Sequence, residues 1–169
     1  AFVRADGSGD DWHDHPKGAR RDNHTIRTHP DAPGRVYVAA GDGYAESPDR
    51  GDTWDYPQDG LDHRYVSGLA VDPGDPDRVL FSAAAGARTA HDADRAEAYL
   101  YRRENEGDWE SIGSDLTGPG AVRAVLAAPR PDVVLAATNS GLFRSRDAGD
   151  SWETLVPWWR DLGSQRPHG

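Results

Sequence analysis

One polar turn closed by a tryptophan is written twice in this chain, and that repetition restricts its fold more than any other feature. "ESPDRGDTWDY" at 46–56 and "RSRDAGDSWET" at 144–154 align Ser47 with Ser145, Asp49 with Asp147 and Gly51 with Gly149. Asp52 with Asp150, Thr53 with Ser151 and Trp54 with Trp152 complete the match. Fainter copies follow from the same spacing. "VRADGSGDDW" carries Asp6 and Gly9 ahead of Trp12, and "YRRENEGDWE" keeps Glu104, Gly107 and Trp109 without the serine. The tryptophans at 12, 54, 109 and 152 are then 42, 55 and 43 residues apart, with an insertion in the middle interval. Repeats of 20 to 50 residues mean that one supersecondary unit buries its faces against copies of itself.

A second recurring element carries the same period. "TIRTHPDAPGRVYVAA", "GLAVDPGDPDRVLFSA" and "AVLAAPRPDVVLAA" each run from an apolar strand through a proline turn into a second strand. Pro30, Pro73 and Pro129 are matched, and so are the strands Val36 to Ala40, Val79 to Ala83 and Val133 to Ala137. These runs are continuous rather than alternating, which predicts strands buried on both faces. "AFVRA", "GYAES", "YLYRR" and "GLFRS" supply a third strand, and the strand opened by the tryptophan is the fourth. Only "HDADRAEAYL" at 91–100 collects helix formers, inside the insertion.

Four-stranded units of about 40 residues predict an all-β chain of propeller blades. The turn has its own local chemistry. Asp49 and Asp147 can accept from backbone N–H groups just ahead, with Ser47 and Ser145 doing so more weakly. Gly51 and Gly149 supply a positive φ. Trp54 and Trp152 then fill the space between blades.

"SPDRGDTW" matches SxDxGxTW, the Asp box of BNR repeats, and "SRDAGDSW" differs only by Ser for Thr. With "AVDPGDPDRVLFSA", the chain resembles the bacterial and archaeal BNR-like propellers grouped with WD40/YVTN-type repeats. That group is similar to sialidases, oligoxyloglucan-type glycoside hydrolases, sortilin-type receptors and a photosystem II assembly factor. The resemblance spans about residues 1–156 and implies a propeller of four-stranded antiparallel blades with ligands at the channel mouth. The expected division is a partial blade at 1–22, blades at 23–65, 66–120 and 121–156, and a tail at 157–169. Because a closed ring takes four to eight blades, these three and a half units require either upstream blades or self-association, two copies forming a ring of seven.

Net charge bounds the partners. With 29 acidic against 19 basic residues the chain carries −10, and Lys17 is its single lysine. Nucleic acid and anionic membrane surfaces would repel such a chain, so neither is an expected partner. An aspartate-rich, lysine-poor composition resembles that of salt-adapted archaeal proteins, and a high-GC bacterium shares the bias. The absence of cysteine removes disulfides, thiol nucleophiles and thiolate metal sites.

Candidate binding residues open the first strand of each unit. Counting back six from the aligned prolines yields His24, Ser67 and Arg123, to which His63 and Arg64 add a polar, partly cationic rim suited to a carboxylate or sugar. A second candidate is the insertion from Ala84 to Ala98, with His91, Asp92 and Asp94. His13 and His15 stand two apart without an evident third ligand, so no metal and no cofactor is expected. The resemblance to sialidases implies an arginine triad, a Tyr nucleophile with its Glu and an acidic acid/base residue, of which only Arg123 has a matching position. A non-catalytic recognition or scaffolding module for a carbohydrate or protein is the expected function, and part of a glycoside hydrolase the alternative.

Overall fold

The computed structural model describes residues 2–157, apart from Ser8 and His15. The expected tail at 157–169 falls outside them from residue 158 onward. The described residues contain strands and turns and no helix. Strands β1 (Val3–Asp6) and β2 (Asp11–Asp14) form a two-stranded sheet. The next sheet comprises β3 (Asn23–His29), β4 (Ala32–Ala40) and β5 (Gly43–Ser47), extended by a bridge from Glu46 to Asp55. In the third sheet β6 (Tyr65–Asp72), β7 (Asp75–Ala84) and β8 (Glu97–Arg103) lie in order, with β9 (Glu110–Ile112) and β10 (Gly118–Pro119) sharing the outer edge of β8. The last sheet runs β11 (Val125–Arg130), β12 (Val133–Thr138), β13 (Gly141–Ser145) and β14 (Glu153–Val156). All pairings are antiparallel.

The second strands explain the stacking. Along β4, Val36, Val38 and Ala40 pack with Phe2 and Trp54, while Tyr37 and Ala39 turn to the opposite side to meet Val66, Leu69 and Phe81. Along β7, Val79, Phe81 and Ala83 join that same cluster, and Leu80 joins Leu126, Val134 and Phe143. A strand whose alternate residues enter two different cores has no polar face, so its sequence reads as an unbroken apolar run. The helix-former stretch at 91–100 is turns followed by the start of β8. Ala98 and Leu100 are needed there as buried strand residues, and tertiary packing overrides their propensity.

The alignment of the last unit is corrected by one residue. Val36 faces Ser47, and Val134, not Val133, faces Ser145. In the two earlier sheets the hairpin register shifts after the corner, Thr28 facing Val36 beyond the pair His29–Ala32, and Val71 facing Val79 beyond Asp72–Asp75. The last hairpin lacks that large bulge, and its corner is Pro131 and Asp132, so Pro129 lies within β11.

The two full turns are superposable in their bonding. Ser47 Oγ accepts the Gly51 N–H at 2.7 Å and donates to Asp49 Oδ1 at 2.9 Å. Asp49 accepts the Thr53 N–H at 2.8 Å and its hydroxyl at 2.6 Å. In the second turn, Ser145 accepts Gly149 N–H at 2.7 Å, and Asp147 accepts Ser151 N–H at 2.9 Å. The serine hydroxyl is thus the pivot rather than a weaker accessory, since it closes the turn from inside. Gly51 and Gly149 sit at φ of 94° and 105°, which admits them beside the ring of their own tryptophan. Each indole N–H donates back to that glycine's carbonyl, at 3.1 and 3.0 Å.

The fainter copies differ from these two. Across β7 and β8, Arg103 faces Val79 and so takes the serine position. Its hairpin is instead a tight turn with Asn105 and Glu106 at φ of 50° and 58°. Trp109 consequently swings into the core between the second and third sheets, its N–H on Pro57 O at 3.1 Å. Trp12 is 66% exposed on β2, where no other sheet covers it among the described residues. The β1–β2 pair corresponds to the two outer strands of a blade.

The Asp49 and Asp147 carboxyls are both held down to about 2, first by the hydroxyl and N–H of Thr53 and of Ser151. An Asp in an unfolded chain titrates near ~3.9. A group depressed below that value adds stability at higher pH, and the contribution is lost as the pH falls from about 4 towards 2. Denaturant unfolding across that window should show a steep loss for the native chain and a shallower one for Asp49→Asn with Asp147→Asn. Equal slopes would show that these bonds do not persist in solution.

Candidate functional site

The inner strands β3, β6 and β11 lie side by side, β6 packing against both neighbours. Antiparallel pairing brings the start of each inner strand to the end of the second strand and the start of the third, as in Tyr65 opposite Ala84 opposite Ala98. The insertion between β7 and β8 therefore emerges at the same end as the rim residues. The two candidate sites of the sequence are one mouth.

His24 opens β3 and donates its Nδ1–H to the Val66 carbonyl of the neighbouring sheet at 2.7 Å. That bond directs Nε2 to the side of Asp22, 3.7 Å away. The ring also lies against Tyr65, with centroids 5.0 Å apart, and Tyr65 in turn meets His91 of the insertion at 6.5 Å. His63 stacks on Tyr99 at 4.4 Å and shares a 2.8 Å hydrogen bond between its Nδ1 and the Tyr101 hydroxyl. Burial raises the Tyr101 phenol above its ordinary value, and the hydrogen bond to Glu97 raises that of Tyr99, so both remain neutral hydroxyls at pH 7. Arg64 is exposed beside them.

The insertion is pinned rather than loose. Ala90 is buried with Ala84, Ala98 and Tyr65, and the Arg95 N–H donates to Asp92 O at 2.9 Å. Asp92 and Asp94 stay on its exposed side.

Two other expected rim residues lie at this end of the strands but make different contacts. Ser67 is buried and donates to Ser82 O at 3.2 Å, so it fastens β6 to β7. Arg123 precedes β11, its backbone N–H reaching Ala90 O at 3.5 Å. With the corrected register, Ala124 is the counterpart of His24 and Ser67, standing two residues before the strand-pairing Leu126 as they stand before Ile26 and Leu69. Ala124 is buried, and its N–H donates to Ser82 Oγ at 2.9 Å.

Tyr65, Tyr99 and Asp22 belong to the mouth and were not singled out from the sequence. Tyr65 directly follows His63 and Arg64, and Tyr99 alternates with Tyr101 along β8, which was the available signal. His13 is exposed on β2, and His15 lies outside the described residues. No three His, Asp or Glu side chains converge in metal-ligand geometry among the described residues.

Twisted four-stranded sheets stacked through their faces, with first strands gathered at one edge, define a segment of a β-propeller. Solved structures with this arrangement include an ancestral GH74 enzyme at 14% identity and a TM-score of 0.68, covering 90% of this chain and 22% of that one. The GH74 xyloglucanase from Xanthomonas campestris matches at 21% identity and a TM-score of 0.59, covering 79% and 21%. YCF48 from Cyanidioschyzon merolae matches at 18% identity and 0.59, covering 84% and 42%. The chain thus spans less than half the length of each. No family model matches the sequence, and no curated protein does.

Proposed function

We propose that this propeller segment is a non-catalytic recognition module whose ligand, a carbohydrate, binds at the channel mouth. The observation that carries this reading is the placement, at that one end of the sheets, of two ring groups, the His63–Tyr99 stack and the His24, Tyr65 and His91 rings. Aromatic faces edged by hydroxyls, imidazoles and Arg64 suit a sugar ring, which offers an apolar face and a polar rim. Xyloglucan and sialylated oligosaccharides titrated against the protein by calorimetry are the direct test. Saturable binding is expected without turnover, weakened at least about tenfold by Tyr65→Ala, in keeping with a lost stacking contact of roughly 1.4 kcal/mol or more. Binding unaffected by Tyr65→Ala and His63→Ala would remove the mouth as the site.

The likeness to GH74 structures favours a second reading, in which the segment is part of a glycoside hydrolase propeller. Such an enzyme needs two carboxyl groups about 5–10 Å apart across the scissile bond. Release of reducing ends from xyloglucan would favour this reading over the first.

The acid-rich surface supports a chain of the BNR-repeat type adapted to high salt. Raising KCl from 0.1 to about 2 M should increase the unfolding midpoint by screening self-repulsion. A falling midpoint would count against salt adaptation.

A further inference from the structure

The start of β3 leaves two hydrogen-bond acceptors side by side with no proton between them. His24 gives its Nδ1–H to the Val66 carbonyl at 2.7 Å, so the neutral ring presents a lone pair at Nε2. Asp22 Oδ2 lies 3.7 Å from that nitrogen. The Asp22 side chain is 69% exposed, and its carboxylate accepts no hydrogen bond from the described residues.

Gly41, in the turn between β4 and β5, sets this geometry. A Cβ there would collide with the Asp22 carboxylate and come within 3.2 Å of Tyr65 Cε2, so one glycine admits both groups to the same spot. The Gly41 N–H also donates to the Asp22 carbonyl at 2.8 Å. Tyr65 sets its ring against His24 with an angle of 63° between the planes. A carboxylate, an imidazole lone pair and a phenol ring therefore border one point above the turn.

The neighbouring charges leave Asp22 without an arginine. Asp42 of the same turn is paired with Arg20 at 3.5 Å, and Arg20 also donates to Tyr44 O at 3.1 Å. The insertion brings His91 to Tyr65 and sets Arg88 and Arg95 against Asp92 and Asp94, an even balance. On the side of β6 stand Tyr65 and, just before it, the exposed Arg64. Among the described residues the one ionisable partner of Asp22 is His24.

A sugar hydroxyl has a single proton and satisfies one of the two acceptors. An ammonium has three, brings the positive charge that Asp22 lacks opposite it, and is attracted to an aromatic face. We infer that the carbohydrate taken at the mouth is an amino sugar with a free amine, its ammonium bridging Asp22 and His24 Nε2 beside the Tyr65 ring. This rests on the mouth being the binding site and adds the class of sugar. A second proton on His24 would fill the same gap, so protonation of the ring and capture of the amine exclude one another.

Calorimetry at pH 7 with a β-1,4-linked glucosamine disaccharide and with its di-N-acetyl form is the test. The free amine should bind at least about tenfold more tightly, and Asp22→Asn should bring the ratio of the two affinities close to one. Gly41→Ala, which displaces the carboxylate without removing it, should lower that ratio as well. Acidification to about pH 5.5 should weaken binding of the free amine even though more of the sugar is then charged, and His24→Asn should abolish that loss. Absent binding of the free-amine disaccharide, equal affinities for the two forms, or a preference that survives Asp22→Asn overturns the inference. Xyloglucan held in a Tyr65-dependent way would then leave the mouth standing as the site, whereas loss of that dependence too would remove both.

Discussion

Replacing Trp109 by alanine is expected to cost about 3–5 kcal/mol of folding stability, as truncation of a large buried ring does. Trp109 is 3% exposed and meets Phe81 at 4.2 Å and Tyr44 at 5.0 Å between ring centroids. Its backbone and indole N–H groups hold the connector of the preceding sheet through Asp59 O at 2.9 Å and Pro57 O at 3.1 Å. The ring therefore joins two sheets as well as filling their common core, and the cavity it leaves cannot collapse without separating them. Trp54 and Trp152 are only half-buried and bond to their own turns, so alanine at either position should cost less. Equilibrium denaturation of the three variants gives the ranking. A Trp109→Ala chain as stable as either of the others would show that the core between the second and third sheets is not formed in solution.

The second large effect belongs to Glu46. Its carboxylate receives Arg103 at 2.6 Å, Arg35 at 3.2 Å and the Tyr44 hydroxyl at 2.8 Å, within the interface between the second and third sheets. Arg103 is 3% exposed and lies over the Trp109 ring, 5.4 Å from its centroid. Glu46→Ala strands that guanidinium in the interior, and removing one partner of a buried ion pair destabilises by about 3–5 kcal/mol. The Tyr44 phenol, which burial pushes well above its ordinary value, would lose its acceptor as well. Replacing both partners, Glu46→Leu with Arg103→Met, should recover much of the loss because no buried charge then lacks its counterion. If the single and double variants unfold alike, the pair is not buried as a unit.

Arg103 also shows how one substitution redirects a repeat. A serine at its position closes the turn from inside, through the Gly51 N–H in one sheet and the Gly149 N–H in another. The guanidinium instead extends to Glu46 in the neighbouring sheet and lies over the Trp109 ring. In sequence the loss of the serine registers only as a weaker match. The arginine that stands there instead finds its partner in Glu46, which is 57 residues away.

The channel mouth divides in the same way. His24, His63, Arg64 and the insertion stand at the strand end that position within a repeat predicts. Ser67 stands at that end too, but its burial was not legible, because it follows from the bond between β6 and β7. Arg123 was displaced by a one-residue slip that arose when Pro129 was matched to Pro30 and Pro73. The shorter final hairpin, cornered at Pro131, causes that slip, and a β-hairpin's register is set by its turn.

Period, strand type and turn chemistry were determined by the sequence alone, since they depend on neighbours within about ten residues and recur whenever the same residues recur. Which face of a strand meets which sheet, which tryptophan is covered, and how His24, Tyr65 and His91 come together were decided only by the tertiary structure. Those relations join residues far apart in sequence, 41 positions from His24 to Tyr65 and 26 from Tyr65 to His91, and stacking the sheets brings them into contact through burial that no local pattern records.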